Sequence, residues 1–183
     1  MRPGHKGALA LVSVLAISLV GASGCGDNSP GKVAEEGVPI QLGDLKLNVQ
    51  ETRFLNPAQP DDSQYLAGQK LPPPPSKAYL GVFLTVHNEG DSAVALPTTS
   101  QMTIVDTTGA IYPAIPSHTP FAAPLGAQIA GGGDIPAPDT AAANGPAQGS
   151  LVLWLVDQGI TENRPLKLQI AYQGETGEIT LDI

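Results

Sequence analysis

Apolar and polar residues alternate with a period of two through most of the chain's second half, the signature of half-buried β-strands. The clearest instance is Tyr79 to Asn88. Leu80, Val82, Leu84 and Val86 form one face there, and Tyr79, Gly81, Phe83, Thr85 and His87 form the other. Leu45, Leu47 and Val49 alternate with Lys46, Asn48 and Gln50, with Val38 to Leu42 as a short edge-type strand before them. Leu166, Leu168 and Ile170 alternate with Lys167, Gln169 and Ala171, and residues 178–183 close the chain as a last strand. Leu151 to Val156 is apolar on both faces, which predicts a central strand covered on each side. Met102 to Asp106 and Ala110 to Tyr112 flank Thr107-Thr108-Gly109, a hairpin turn with glycine free to take positive φ. No mature segment shows a helical period.

Two proline-rich stretches interrupt the strands. Asn56 to Lys77 carries Pro72 to Pro75 in succession and reads as polyproline II in a surface loop. Ala114 to Gly149 is rich in alanine, glycine and proline and holds only Asp134 and Asp139 as charged residues. It predicts an irregular, mobile loop with short edge pieces at Gln128-Ile129-Ala130 or Gly133-Asp134-Ile135. Seven to eight short strands without a helix predict an antiparallel β-sandwich with these two stretches as long insertions.

The strand ending Val86-His87-Asn88-Glu89-Gly90 and the hairpin Asp106-Thr107-Thr108-Gly109-Ala110-Ile111-Tyr112 resemble motifs of the telokin-like immunoglobulin-type domains of bacterial lipoproteins. The glycine-led strand Gly149-Ser150-Leu151-Val152-Leu153-Trp154 and the final pair within 166–183 answer to the same family. The resemblance spans residues 38–183 and implies an all-β, immunoglobulin-like sandwich. It transfers no site residues.

The N-terminal pattern places this domain. Arg2, His5 and Lys6 precede an apolar run from Gly7 to Val20, too short to cross a bilayer of ~30 Å. Ala22-Ser23-Gly24-Cys25 follows and looks like a lipobox, with alanine where leucine is commonest. The reading is a signal peptide over 1–24, a lipidated Cys25 heading a flexible tether over 25–37, and the sandwich over 38–183. The alternative is an ordinary secretory cleavage after Ala22-Ser23-Gly24. It would leave the chain's single cysteine as an exposed thiol in an oxidising compartment. Lipid on Cys25 implies a cell-membrane protein facing the extracytoplasmic side.

Charge then removes several function classes. Residues 25–183 carry seven basic and seventeen acidic side chains, a balance of −10. This excludes nucleic acid as the expected partner, since phosphate backbones reward basic patches. His87 and His118, the two mature histidines, have no H-x-x-x-H or cysteine partner, and nothing in their spacing makes Met102 a third ligand. No metal or other cofactor is expected. No G-x-S-x-G elbow, S-x-x-K motif or calcium loop is present, so no catalytic residue is assigned and an enzyme is not expected.

What exceeds an ordinary sandwich is a set of aromatics off the main core face: Tyr79, Phe83 and His87 on one strand, with Trp154 on another. Left open, they would form an interaction face for an envelope or extracellular protein or ligand. The favoured expectation is that residues 56–77 fold over them as a lid, with Leu66 and Leu71 packed beneath. Function therefore reads as a binding or interaction module of unknown ligand; the alternatives are a structural or envelope-assembly lipoprotein, or an unrecognised secreted enzyme.

Overall fold

A computed structural model describes residues 32–183; the leader, Cys25 and most of the tether lie outside the described residues. The described chain is almost entirely β. Twelve strands run as β1 (Val33–Glu35), β2 (Ile40–Leu42), β3 (Leu45–Leu55), β4 (Lys77–Asn88), β5 (Val94–Ala95), β6 (Met102–Val105), β7 (Ile111–Ile115), β8 (Gln128–Ile129), β9 (Asp134–Ile135), β10 (Ser150–Asp157), β11 (Leu166–Tyr172) and β12 (Glu175–Leu181). The count exceeds the expected seven to eight because five of these strands hold only two or three residues, too few to show a readable alternation.

One layer is ordered β1-β12-β11-β6 and the other β10-β4-β3-β2, and β7 joins them. Its first half pairs with β6, Val105 against Ile111, and its second half with β10, Trp154 against Ala114. At the opposite side the chain crosses layers between β1 and β2. β1 pairs with β12 in parallel, Ala34 against Ile179, so the sandwich is not purely antiparallel. Residues 33–35 are thus strand and not tether. The result is a sandwich nearly closed into a barrel, a geometry that leaves few free edges.

The main core lies between the layers. It gathers Leu45, Leu47 and Val49, the inner face of β4, Leu166, Leu168 and Ile170, and the Val152–Trp154–Val156 face of β10. A second core sits on the outer side of β4 and β10, built from Leu55, Tyr65, Leu66, Tyr79, Phe83, Leu151 and Leu153. The apolar character of both faces of β10 is explained by this pair of cores. Gly149 introduces that strand with φ +105°, and a Cβ there would fall 2.8 Å from the Leu84 carbonyl oxygen. Only glycine allows such close approach to β4.

Residues 56–76 cover the second core. Pro60–Ser63 forms one turn of helix, α1, and Gln64–Leu66 a 3-10 turn after it. Tyr65 meets Phe83 edge-on at 5.1 Å and Phe121 at 4.8 Å. The Arg53 guanidinium lies 5.6 Å from both the Tyr65 and Phe83 rings and pairs with the buried Asp62 carboxylate. The same carboxylate accepts from the Asn56 backbone N–H at 2.8 Å. The Tyr79 hydroxyl donates to the Lys70 carbonyl at 2.8 Å, and burial raises its pKa above the ordinary tyrosine value. Leu66 is buried in this core, but Leu71 is 45% exposed, contrary to the expectation that both pack beneath.

The 114–149 stretch holds two short strands where edge pieces were expected. β8 pairs with β5 as a separate two-stranded sheet, and β9 extends the edge of β4 beyond the end of β10. Among the described residues no helix is long and apolar enough to cross a membrane.

Candidate functional site

The four residues of the expected interaction face do not share a surface. Tyr79 and Phe83 are buried in the second core, under residues 56–76. Trp154 is fully buried in the main core instead. The reason is register: Trp154 pairs with Leu80, so its side chain joins the inward face of β4, opposite to Tyr79 and Phe83. His87 alone of the four is partly exposed.

His87 belongs to an open polar groove of about 200 Å³ on the outer face of the β3–β4–β9 corner. Lys46, His87 and Asp134 form one cross-strand row, and Asn48 and Thr85 form the next. His87 Nδ1 and Asp134 Oδ1 are 2.8 Å apart, and Lys46 meets Glu89 at 3.4 Å. All four charged or titratable partners are well exposed, so each pair contributes little. His118 lies elsewhere, after β7, and Met102 is buried in the main core. Among the described residues no three His, Cys, Asp or Glu side chains gather into a set that could hold a metal ion.

A better-formed site lies where β7 leaves β10. β7 keeps only two residue pairs with β10, Ile115 with Leu153 and Ala114 with Trp154. Pro116 follows and cannot donate to a ladder. Residues 121–123 take the vacated edge: Leu151 N–H donates to the Phe121 carbonyl at 2.7 Å, and Ala123 N–H to the Leu151 carbonyl at 2.8 Å. The chain here runs parallel to β10 through a single bridge, Ala122 to Leu151.

This rib has a cleft on each side. The wedge between it and residues 115–118 holds about 310 Å³, floored by Leu151, Val152 and Leu153, with Thr99 and His118 also in its lining. Ser117 is also in this lining, and its Oγ is buried with no hydrogen-bond partner among the described residues. The far side of the rib has a second cleft of about 310 Å³, drier in character, lined by Pro120, Ile135, Pro136, Ala142 and Ser150 among others. Pro124 borders both clefts.

Sequence reasoning overlooked this cleft, because it forms only where β7 and the rib separate over β10. The local signal was a polar Ser117-His118-Thr119 set between Pro116 and Pro120 in an otherwise apolar stretch.

No family model matches the chain, and no curated protein does. Among solved structures, the secreted protein MPT63 of Mycobacterium tuberculosis aligns over 82% of this chain and 96% of its own, at 14% identity and TM-score 0.51. A β-sandwich protein of Clostridium difficile 630, described as uncharacterized, aligns over 81% and 93%, at 15% identity and TM-score 0.49. The yjhA protein of Bacillus subtilis aligns over 81% and 99%, at 10% identity and TM-score 0.49. The chain has a β-sandwich fold and shares it, distantly, with MPT63. Identity this low speaks to fold alone.

Proposed function

We propose that the chain is a membrane-anchored lipoprotein, facing the extracytoplasmic side, whose domain is a non-enzymatic binding module. Its sandwich is read as immunoglobulin-like, of the telokin type, on the V-x-N-x-G and D-x-x-G-x-x-Y motifs at 86–90 and 106–112. The observation that supports the binding role is the cleft beside the rib, preformed along the edge of β10. Its lining has no carboxylate, lysine or arginine to work as acid or base beside His118, which favours binding over catalysis.

The anchor rests on Ala22-Ser23-Gly24-Cys25 and on the position of the one cysteine. Cys25→Ser is expected to abolish acylation and move the protein from the detergent phase to the aqueous phase on phase separation. Mass spectrometry of native protein that finds an unmodified N-terminus at Cys25 or beyond would overturn the anchor.

A further inference from the structure

We propose that the lipid on Cys25 seats one corner of the sandwich against the bilayer, the corner formed by Lys32, Asp44 and the turn at 173–174. The β7 flank, with the cleft and the turn at 106–110, then faces the aqueous side. That orientation depends on the anchor proposed above and specifies which surface of the domain meets lipid.

Docking of β1 selects the corner. Val33 pairs with Glu178, the Lys32 carbonyl accepts from Glu178 N–H at 2.7 Å, and Lys32 Nζ meets Glu175 at 2.8 Å. The chain is therefore held to the fold from Lys32 onward, and only residues 26–31 separate that point from Cys25. Seven residue steps reach ~25 Å at most. Asp44 belongs to the same corner. Gly43 N–H donates to the Glu175 carboxylate at 3.3 Å, and the Asp44 carbonyl accepts from Glu89 N–H at 2.8 Å.

Strand order sets β7 far from that corner. β1 and β2 are the two ends of the path through the layers, and β7 is its midpoint. Four strand spacings of ~4.8 Å separate β1 from β7, and a side-chain layer adds ~5 Å. With the β7 flank on the lipid, Lys32 would stand ~24 Å from it, at the limit of the connection's reach. A fully extended connection gives up its conformational freedom, which disfavours that pose. With the Lys32 corner on the lipid, no extension is needed. Ile111 is distant along the strands as well. It pairs with Val105, Val105 with Lys167, and Lys167 with Thr180, at the end of β12 away from Glu175.

Charge opposes the remaining pose, with the β1–β12 edge lying along the bilayer. Glu35, Glu36 and Asp182 line one groove on that edge, further from the corner. Among the described residues no ion pair includes them. A surface containing anionic lipid repels such a strip, so the domain stands on its turn end. A partner of the cleft then arrives from the aqueous phase and not from the bilayer.

The test uses the full lipidated chain in vesicles of phosphatidylcholine and phosphatidylglycerol that carry an energy acceptor of short transfer distance on the headgroup. Acylation occupies the Cys25 thiol, so a donor dye can be placed on one introduced cysteine, at exposed Asp44→Cys or exposed Ile111→Cys. Transfer is expected to be several-fold more efficient from position 44 than from position 111. Equal transfer, or stronger transfer from 111, would overturn the orientation and leave the anchor standing. Inserting a glycine–serine segment of about 20 residues after Gly31 should bring the two signals together, since its coil alone spans ~22–27 Å. A difference that survives the insert would overturn the account by tether length. A chain that carries no acyl mass and does not float with the vesicles would remove the anchor, and the orientation with it.

Discussion

Asn88 is fully buried at the end of β4, and its Nδ2 reaches the carbonyls of Ser92 at 2.8 Å, Ile129 at 3.2 Å and Ala130 at 2.9 Å. Two amide hydrogens shared among three carbonyls pin the loop around β8 to the main sheet, while Oδ1 accepts from Gly90 N–H at 3.0 Å. Asp106 acts alike in the β6–β7 turn. Its Oδ1 accepts from the Thr108 hydroxyl at 2.6 Å and from the N–H groups of Thr108 at 2.9 Å and Ala110 at 3.0 Å. The Thr108 hydroxyl contributes most to holding the Asp106 carboxyl below its ordinary pKa, against the opposing effect of burial. A depressed folded pKa means the native state resists protonation, so this stabilisation is present above the ordinary carboxylate range and is lost as pH falls through the lower folded value. Asp106→Asn should therefore lower the urea midpoint at neutral pH, with the gap to the parent narrowing as pH drops below about 4. A gap unchanged with pH would mean that the carboxylate charge is not what stabilises the turn. Asp106 and the Asn88–Gly90 bond were legible as turn chemistry, because a short side chain bonding its own neighbours needs only local sequence, whereas the bonds of Asn88 to Ile129 and Ala130 needed the fold.

At the scale of elements, the cover over Tyr79 and Phe83 follows from strand alternation and from the large apolar area two aromatics would otherwise leave in water. Deleting residues 60–74 should expose this second core, raise binding of a hydrophobic dye and lower the melting temperature. Uncovering Phe83 alone forgoes about 1.5–3 kcal/mol of burial. An unchanged melting temperature with no added dye would make the segment a free arm. What holds the cover was not readable: Arg53 and Asp62 meet only once α1 turns back over β3. β1 was missed for a related reason. Val33-Ala34-Glu35 shows no alternation, and its strand character comes from β12. Glu178 N–H donates to the Lys32 carbonyl at 2.7 Å, Glu36 N–H to the Thr180 carbonyl at 2.9 Å, and Gly37 N–H to the Val49 carbonyl at 2.9 Å. A chain beginning at residue 38 should be less stable than one beginning at 32 by about 1.5–4.5 kcal/mol, at roughly 0.5–1.5 kcal/mol for each of the three bonds. Equal urea midpoints would return residues 32–37 to the tether.

Across the whole molecule, sequence alone determined that the domain is all-β, where its long strands lie, which faces they bury, and that two proline-rich stretches separate them. Those properties follow from side-chain period, proline's missing N–H and glycine's freedom, each of which acts within a few residues. The cysteine position and the apolar run before it likewise carry the anchor proposal without help from the fold. Tertiary structure decided the rest. It put Trp154 in the inner core, because the pairing of Trp154 with Leu80 depends on the register between β10 and β4. It closed the layers through β1 and β7, whose pairing partners lie far away in sequence. It also opened the cleft at Ser117, since a wedge between two chain segments exists only when both leave the same strand in different directions. Period and turn chemistry are local and can be read along the chain, whereas register, closure and cavities depend on residues that meet only after folding.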